Sequence, residues 1–139
     1  MSIADKENVL FEKFGHIPDS QERLSVVVDW ARRRPKPPPE LRTANNRVMG
    51  CASPVWINAE LSGERMNLMS DAESPIVKGL VSLLCDVYDG ATPAETLAVE
   101  STIFEKLGLV RDLSTTRRNG LAAARARIRG LASELLTKP

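Results

Sequence analysis

The sequence predicts an α+β domain: a small antiparallel β-sheet with helices packed on one side. Three observations carry this. Residues 55–69 alternate apolar and polar side chains around a Ser-Gly pair, a period of two. On both sides of that stretch lie runs with apolar residues at helical spacing, most of them bounded by capping residues, glycine or proline. The chain has 139 residues, 42% hydrophobic and 27% charged, enough for one sizeable core and ordinary for a folded domain.

Taken in order, Ile3 to Phe14 reads as an amphipathic helix, with Ile3, Val9, Leu10 and Phe14 recurring, Ser2 as cap and Gly15 at the end. Asp19 with Glu22 opens a second helix in capping-box fashion. Its apolar stripe is Leu24, Val27, Val28 and Ala31; Arg32-Arg33-Arg34 suits its C-terminal dipole, and Pro35 stops it. Pro35-Lys36-Pro37-Pro38-Pro39 is extended, polyproline II in character, and reads as a stiff internal spacer in preference to an SH3-type ligand. Leu41 to Ala44 fits one short turn.

Val55, Ile57, Ala59 and Leu61 alternate with Trp56, Asn58 and Glu60, which predicts a strand. Ser62-Gly63 is the expected tight turn, and Glu64 to Met69 the return strand. Arg47 to Met49 is expected to add a third, short strand. Ser74-Pro75 starts a helix, with a cap and then proline at its first position. Ile76, Val77, Leu80, Val81, Leu84, Val87 and Tyr88 give that helix a broad apolar face, the mark of a central buried helix ended by Gly90. Thr92-Pro93-Ala94-Glu95 opens a short helix. Ser101 to Leu107 is another, closed by Gly108. Ser114 caps the last helix, whose buried stripe is Leu121, Ala124, Ile128, Leu131 and Leu135. No internal repeat or second domain is visible, so residues 1–139 read as one domain.

Composition excludes several classes. Net charge is +1, which gives no global reason to expect nucleic acid. No apolar run approaches the roughly 20 residues of a membrane span. The first residues mix acid and base, unlike a signal or transit peptide, so cytoplasm is the expected compartment. There Cys51 and Cys85, far apart and forming no CxxC, read as free thiols.

The stretch Asn45-Asn46-Arg47-Val48-Met49-Gly50-Cys51-Ala52-Ser53-Pro54-Val55-Trp56 stands out. Gly50 permits backbone angles closed to other residues, and Pro54 forbids a regular ladder bond. The expected result is a cysteine at the tip of a loop between two β segments, a thiol placed for use. Arg47 and the loop amides favour its anion, and no second cysteine lies nearby to form an internal disulfide. Val48, Met49, Val55 and Trp56 are placed to shelter it.

Asn-x-Val-x-Gly-Cys-x-Ser-x-Val-Trp, here Asn46 to Trp56, resembles the SufE family, which includes the CsdE proteins. Ser70-Asp71-Ala72, Ile76 to Leu80, Gly90-x-Thr92-Pro93-x-Glu95, Phe104 to Leu109, and Leu113-Ser114-x-x-Arg117-x-Asn119-Gly120-Leu121 extend the resemblance over nearly the whole chain. It implies a fold shared with IscU-type scaffold proteins. It also implies a sulfur acceptor for a pyridoxal-phosphate cysteine desulfurase of the SufS or CsdA kind. Such a protein is a covalent carrier, not an enzyme, with no cofactor or metal of its own. The implied carrier residue is Cys51, taking persulfide sulfur, stimulating the desulfurase and passing the sulfur to an iron–sulfur scaffold such as a SufBCD-like complex. Monomer and homodimer remain open.

Glu105 and Arg117 fall at charged positions of the family motifs and read either as a pair bracing the Cys51 loop, with Asp71 as a candidate third member, or as ordinary surface salt bridges. Asn45, Asn46 and Ser53 are expected to support the loop by hydrogen bonds, and Gly120 to allow close packing. Cys85, among Leu83, Leu84 and Val87, reads as a small buried hydrophobe. His16 is the only histidine and follows Gly15 in a connector, which leaves a cysteine hydrolase without a base. Two cysteines and one histidine far apart also suit a metal scaffold poorly. The remaining alternative is a binding module whose last helix presents the arginines at 111, 117, 118, 125, 127 and 129 to nucleic acid or an acidic partner.

Overall fold

In the computed structural model, which describes residues 1–137, six helices and one hairpin are arranged in the order α1 (Ile3–Phe14), α2 (Ser20–Arg32), β1 (Val55–Ser62), β2 (Arg65–Ala72), α3 (Pro75–Tyr88), α4 (Pro93–Ala98), α5 (Ile103–Lys106) and α6 (Thr115–Thr137). The caps read from the sequence are in place. Ser2, Asp19, Ser74 and Thr92 each accept a hydrogen bond from the backbone N–H three residues on, satisfying a donor the helix itself leaves open. Ser114 does the same for Arg117 at 3.2 Å.

The strands pair antiparallel from Val55↔Ala72 to Ser62↔Arg65. The turn is therefore Gly63-Glu64, one residue beyond the expected Ser62-Gly63, and Gly63 takes its positive φ of 65°. The return strand also runs three residues further than Met69, because Ser70, Asp71 and Ala72 pair with Ile57, Trp56 and Val55. The expected helix from Ser101 shortens to Ile103–Lys106, since Ser101 turns its hydroxyl to Glu7 Oε2 at 2.7 Å. Glu7 is buried and also accepts from the Thr102 N–H at 2.8 Å and the Lys106 ammonium at 3.3 Å, so α1 organises the start of α5.

On the inner sheet face Val55, Ile57 and Ala59 sit opposite Ala72, Ser70 and Leu68. The buried central helix α3 packs on β2, α6 packs on β1, and α2 packs on α3. Leu80, Leu83, Leu84, Ala124 and Ile128 meet the sheet in one core. The outer face carries Trp56 beside Asp71. The proline segment is extended through Pro38 (φ −63°, ψ 146°) and lies along β2 and α3, lining a cavity with Leu68, Ser70 and Ser82. It then makes two 3-10 turns, Pro39–Leu41 and Ala44–Asn46, in place of the single turn expected at 41–44.

No third strand forms. Arg47 makes one isolated bridge to Trp56, with the Val48 N–H donating to the Val55 carbonyl at 2.8 Å. The next outward acceptor on β1, the Ile57 carbonyl, is taken by the Arg127 guanidinium, and the Asn46 N–H closes a turn on Thr43 O at 3.1 Å. Both groups that would make the next rung are already bonded.

Candidate functional site

Cys51 sits between the Val48–Val55 backbone bond and the start of β1, with Pro54 O also accepting from the Glu73 N–H at 3.2 Å. The loop turns at Gly50, whose φ of 91° is closed to other residues without strain. That turn folds the half-buried Cys51 onto α6, where its thiol donates to the Gly120 carbonyl at 3.4 Å. Gly120 has no side chain there; a Cβ would stand 3.7 Å from the sulfur. A cavity of about 470 Å³ opens beside the thiol, walled by Ser53, Ser74, Val77, Leu80, Ser114, Arg117 and Leu121. Burial raises the Cys51 pKa, and the Arg47 charge pulls it back down. The arrangement is a half-buried thiol next to open space, held by one hydrogen bond.

The supporting residues are distributed differently from the sequence expectation. Asn46 donates its amide to Leu41 O at 3.0 Å, within the segment that leads to the loop. Arg47 lies against Trp56, 5.9 Å from the ring centroid. Ser53 lines the cavity but makes no side-chain hydrogen bond among the described residues. Glu105 and Arg117 form no ion pair among the described residues; Arg117 is exposed at the cavity rim. Asp71 joins neither. It is bonded to Arg42 Nε at 2.8 Å, with the Lys78 ammonium at 3.7 Å, on the opposite face of the sheet from the core. The reason is register: Asp71 pairs with Trp56, so both point outward, and the Arg42 guanidinium covers them together, 4.7 Å from the indole centroid.

Two residues that matter to the loop were not singled out for it in the sequence. Arg42 precedes the motif, within the short turn expected at 41–44. Arg127 reads as part of a basic helix face, yet it donates to Asn45 O at 2.9 Å and to Ile57 O at 3.1 and 3.2 Å. Only the isolated apolar surroundings of Arg127 on the buried side of α6, between Ala124 and Ile128, hint at this. Three further arginines of the supposed basic face are similarly engaged, while Arg111 and Arg117 are exposed and make no side-chain hydrogen bond or ion pair among the described residues. Arg118 donates to Val110 O and Arg111 O, Arg125 to Glu100 and Ser101 O, and Arg129 to Leu97 O. Cys85 is buried in the core, its thiol pushed up to about 12 by desolvation. His16 is exposed in the turn after α1, with Nδ1 3.2 Å from Glu12 O in the last turn of that helix. Among the described residues no group of His, Cys, Asp and Glu is arranged to hold a metal, and no helix is long and apolar enough to cross a membrane.

Comparison with known proteins agrees with this geometry. Residues 8–132 match the family profile described as SufE, an Fe-S metabolism associated domain. An uncharacterized SufE-like protein of Rhizobium etli is 38% identical over 125 residues, spanning 86% of this chain and 84% of that one. A chloroplastic quinolinate synthase of Arabidopsis thaliana is 33% identical over 101 residues, 72% of this chain but 14% of that protein. The solution structure of a hypothetical protein from Thermus thermophilus superposes with a TM-score of 0.77 at 27% identity, covering 96% of this chain and 97% of the other. The half-buried cysteine at a loop tip, the hairpin with its flanking helices and the match over residues 8–132 place this chain in the SufE family, and with it in iron–sulfur metabolism.

Proposed function

We propose that the protein accepts sulfur from a cysteine desulfurase as a persulfide on Cys51 and hands it on for iron–sulfur cluster assembly. The single observation that supports this most is the Cys51 thiol itself: half-buried, held by one S–H···O bond to Gly120, and facing an open cavity. A structural cysteine would sit in the core, as Cys85 does.

The step is a displacement at sulfur. The Cys51 thiolate attacks the outer sulfur of the desulfurase's cysteine persulfide. A new S–S bond forms on Cys51 as the donor's S–S bond breaks, and the electron pair leaves on the desulfurase cysteine. The proton lost by Cys51 ends on that thiolate, so there is no net oxidation. Clearing the desulfurase cysteine is what raises its turnover. A thiol of the assembly scaffold then takes the outer sulfur by the same displacement, and Cys51 returns to the thiol.

Two features of the fold suit a carrier. No second thiol lies near enough to convert the persulfide into an internal disulfide, since Cys85 is buried on α3. The tether is also weak. A thiol is a poor hydrogen-bond donor, so a docking partner releases Cys51 by replacing one bond and part of its burial.

Intact-protein mass spectrometry tests the reading. Wild type and Cys51→Ser are incubated with cysteine and a cysteine desulfurase without reductant. The expected result is a gain of one sulfur, removed by reductant and absent from the variant. No gain with a desulfurase from the same source removes the carrier assignment.

A further inference from the structure

Arg127 stands on α6 seven residues beyond Gly120, on the same side of the helix. Gly120 holds the tip of the Cys51 loop; Arg127 holds its stem. Its Nη2 donates to the Asn45 carbonyl at 2.9 Å, just before the loop, and its Nε and Nη2 both reach the Ile57 carbonyl, just after it. The Ile57 carbonyl is the acceptor that a third strand would have used, so a side chain from a distant helix completes the edge of β1. Bonds from a charged donor are stronger than neutral ones, and this donor is half-buried. Between stem and tip, Val48 is 2% exposed and Val55 fully buried, and their backbone bond closes the loop. Beyond that bond Met49 is 82% exposed and Gly50 takes its positive φ.

We propose that Arg127 is a positioning residue for sulfur transfer: it locks the stem of the Cys51 loop to β1 and α6, so that only the tip from Met49 to Pro54 moves when a partner takes up the thiol. This rests on the carrier reading above. With the stem locked, the pivot lies at the buried Val48–Val55 pair and Cys51 emerges at a defined place. Without Arg127 the Asn45 and Ile57 carbonyls turn to water, and the pivot retreats to Arg42, held by Asp71. The thiol is then uncovered more often and presented less accurately. Those two consequences move in opposite directions, which general loss of stability does not produce in a variant that still melts cooperatively.

The test measures iodoacetamide alkylation of Cys51 by peptide mass spectrometry, with thermal melting, and single-turnover persulfide transfer from a preloaded cysteine desulfurase. Wild type, Arg127→Ala, Arg127→Lys and Arg129→Ala are compared on the full chain; Arg129 donates to Leu97 O at 3.2 Å from an exposed position and serves as control. The expected outcome for Arg127→Ala is alkylation about tenfold faster, from the loss of charge-assisted hydrogen bonds, together with slower transfer. Arg127→Lys falls between, since one ammonium serves a carbonyl but not the fork. Arg129→Ala matches wild type. Wild-type alkylation in Arg127→Ala, undiminished transfer, or the same acceleration in Arg129→Ala overturns the proposal. If Arg127→Ala does not fold, Arg127→Gln carries the same expectations. Alkylation needs no desulfurase, so a wild-type protein that accepts no sulfur counts against the carrier reading while the anchoring of the loop is still decided.

Discussion

The Cys51 thiol donates to the Gly120 carbonyl at 3.4 Å, joining a loop tip to a helix 69 residues further along the chain. The bond exists only while the sulfur carries its proton. A thiolate or a persulfide has no proton on that sulfur to donate, so loading as proposed above would remove the tether that holds the resting loop. Gly120 contributes by lacking a side chain as well as by offering its carbonyl.

Gly120→Ala therefore separates the two contributions. Alanine in a helix interior is worth about 0.5–1 kcal/mol over glycine, and the added Cβ would make an ordinary 3.7 Å contact with the sulfur. The expected variant is more stable in denaturant unfolding and alkylates at Cys51 as wild type does. Gly120→Val adds methyl groups that crowd the sulfur, and its Cys51 should alkylate faster.

Gly50→Ala should act through the backbone. At φ 91° an L-residue is destabilised by about 1–2 kcal/mol, while the new Cβ would only touch Ala123 Cβ at 3.4 Å. Urea unfolding should show that loss, accompanied by faster alkylation of Cys51 as the tip leaves α6. A variant with unchanged stability would mean that the loop adopts another turn at no cost.

The pH profile of Cys51 alkylation reports its surroundings. Burial raises the pKa and Arg47 lowers it. The thiolate is the reacting form, so the rate in the folded protein should reach half its maximum at a higher pH than in the unfolded chain, whose cysteines titrate near about 8.5. Arg47→Gln removes the lowering influence and should move the folded midpoint further up. A midpoint below that of the unfolded chain would contradict the burial argument.

Cys85 makes a separate prediction about alkaline stability. Its pKa is pushed up to about 12 by desolvation in the core, against about 8.5 in the unfolded chain. A raised acid binds its proton more tightly when folded, so its stabilising contribution is complete below the unfolded pKa. It declines as pH rises from there toward the folded value, by about 1.4 kcal/mol per unit. Unfolding free energies measured across that window should fall more steeply for wild type than for Cys85→Ala. Parallel slopes would mean that Cys85 is not the group responsible.

Asp71 supports the outer face of the hairpin. The residue is 8% exposed, and its carboxylate is shared by Arg42 and Lys78 while also accepting the Ala72 N–H at 2.9 Å. Asp71→Ala leaves that amide without its partner and should cost about 1–3 kcal/mol in chemical denaturation. It should also free Arg42 from the segment that leads into the Cys51 loop, detectable as faster hydrogen exchange of the two 3-10 turns.

Whatever depends on residues close in the chain can be read from the order of amino acids. Ser2, Asp19, Ser74 and Thr92 announce helix starts because each bonds a backbone N–H three residues on. The alternation from Val55 announces a strand, and Gly50-Cys51 a turned loop. Cys85 reads as core because its apolar neighbours share its helix. The family resemblance rested on the same local motifs. Only the tertiary structure decided which distant groups meet. Arg127 looks like one more charge on a basic helix, and its partners are two carbonyls, which carry no side-chain signature at all. Asp71 turned to Arg42 and not to Glu105 or Arg117 because strand register aimed it outward. The third strand failed because the groups of its next rung, the Ile57 carbonyl and the Asn46 N–H, are already bonded. Long side chains choose among many backbone acceptors, and that choice is made by packing once the helices and the hairpin are in place.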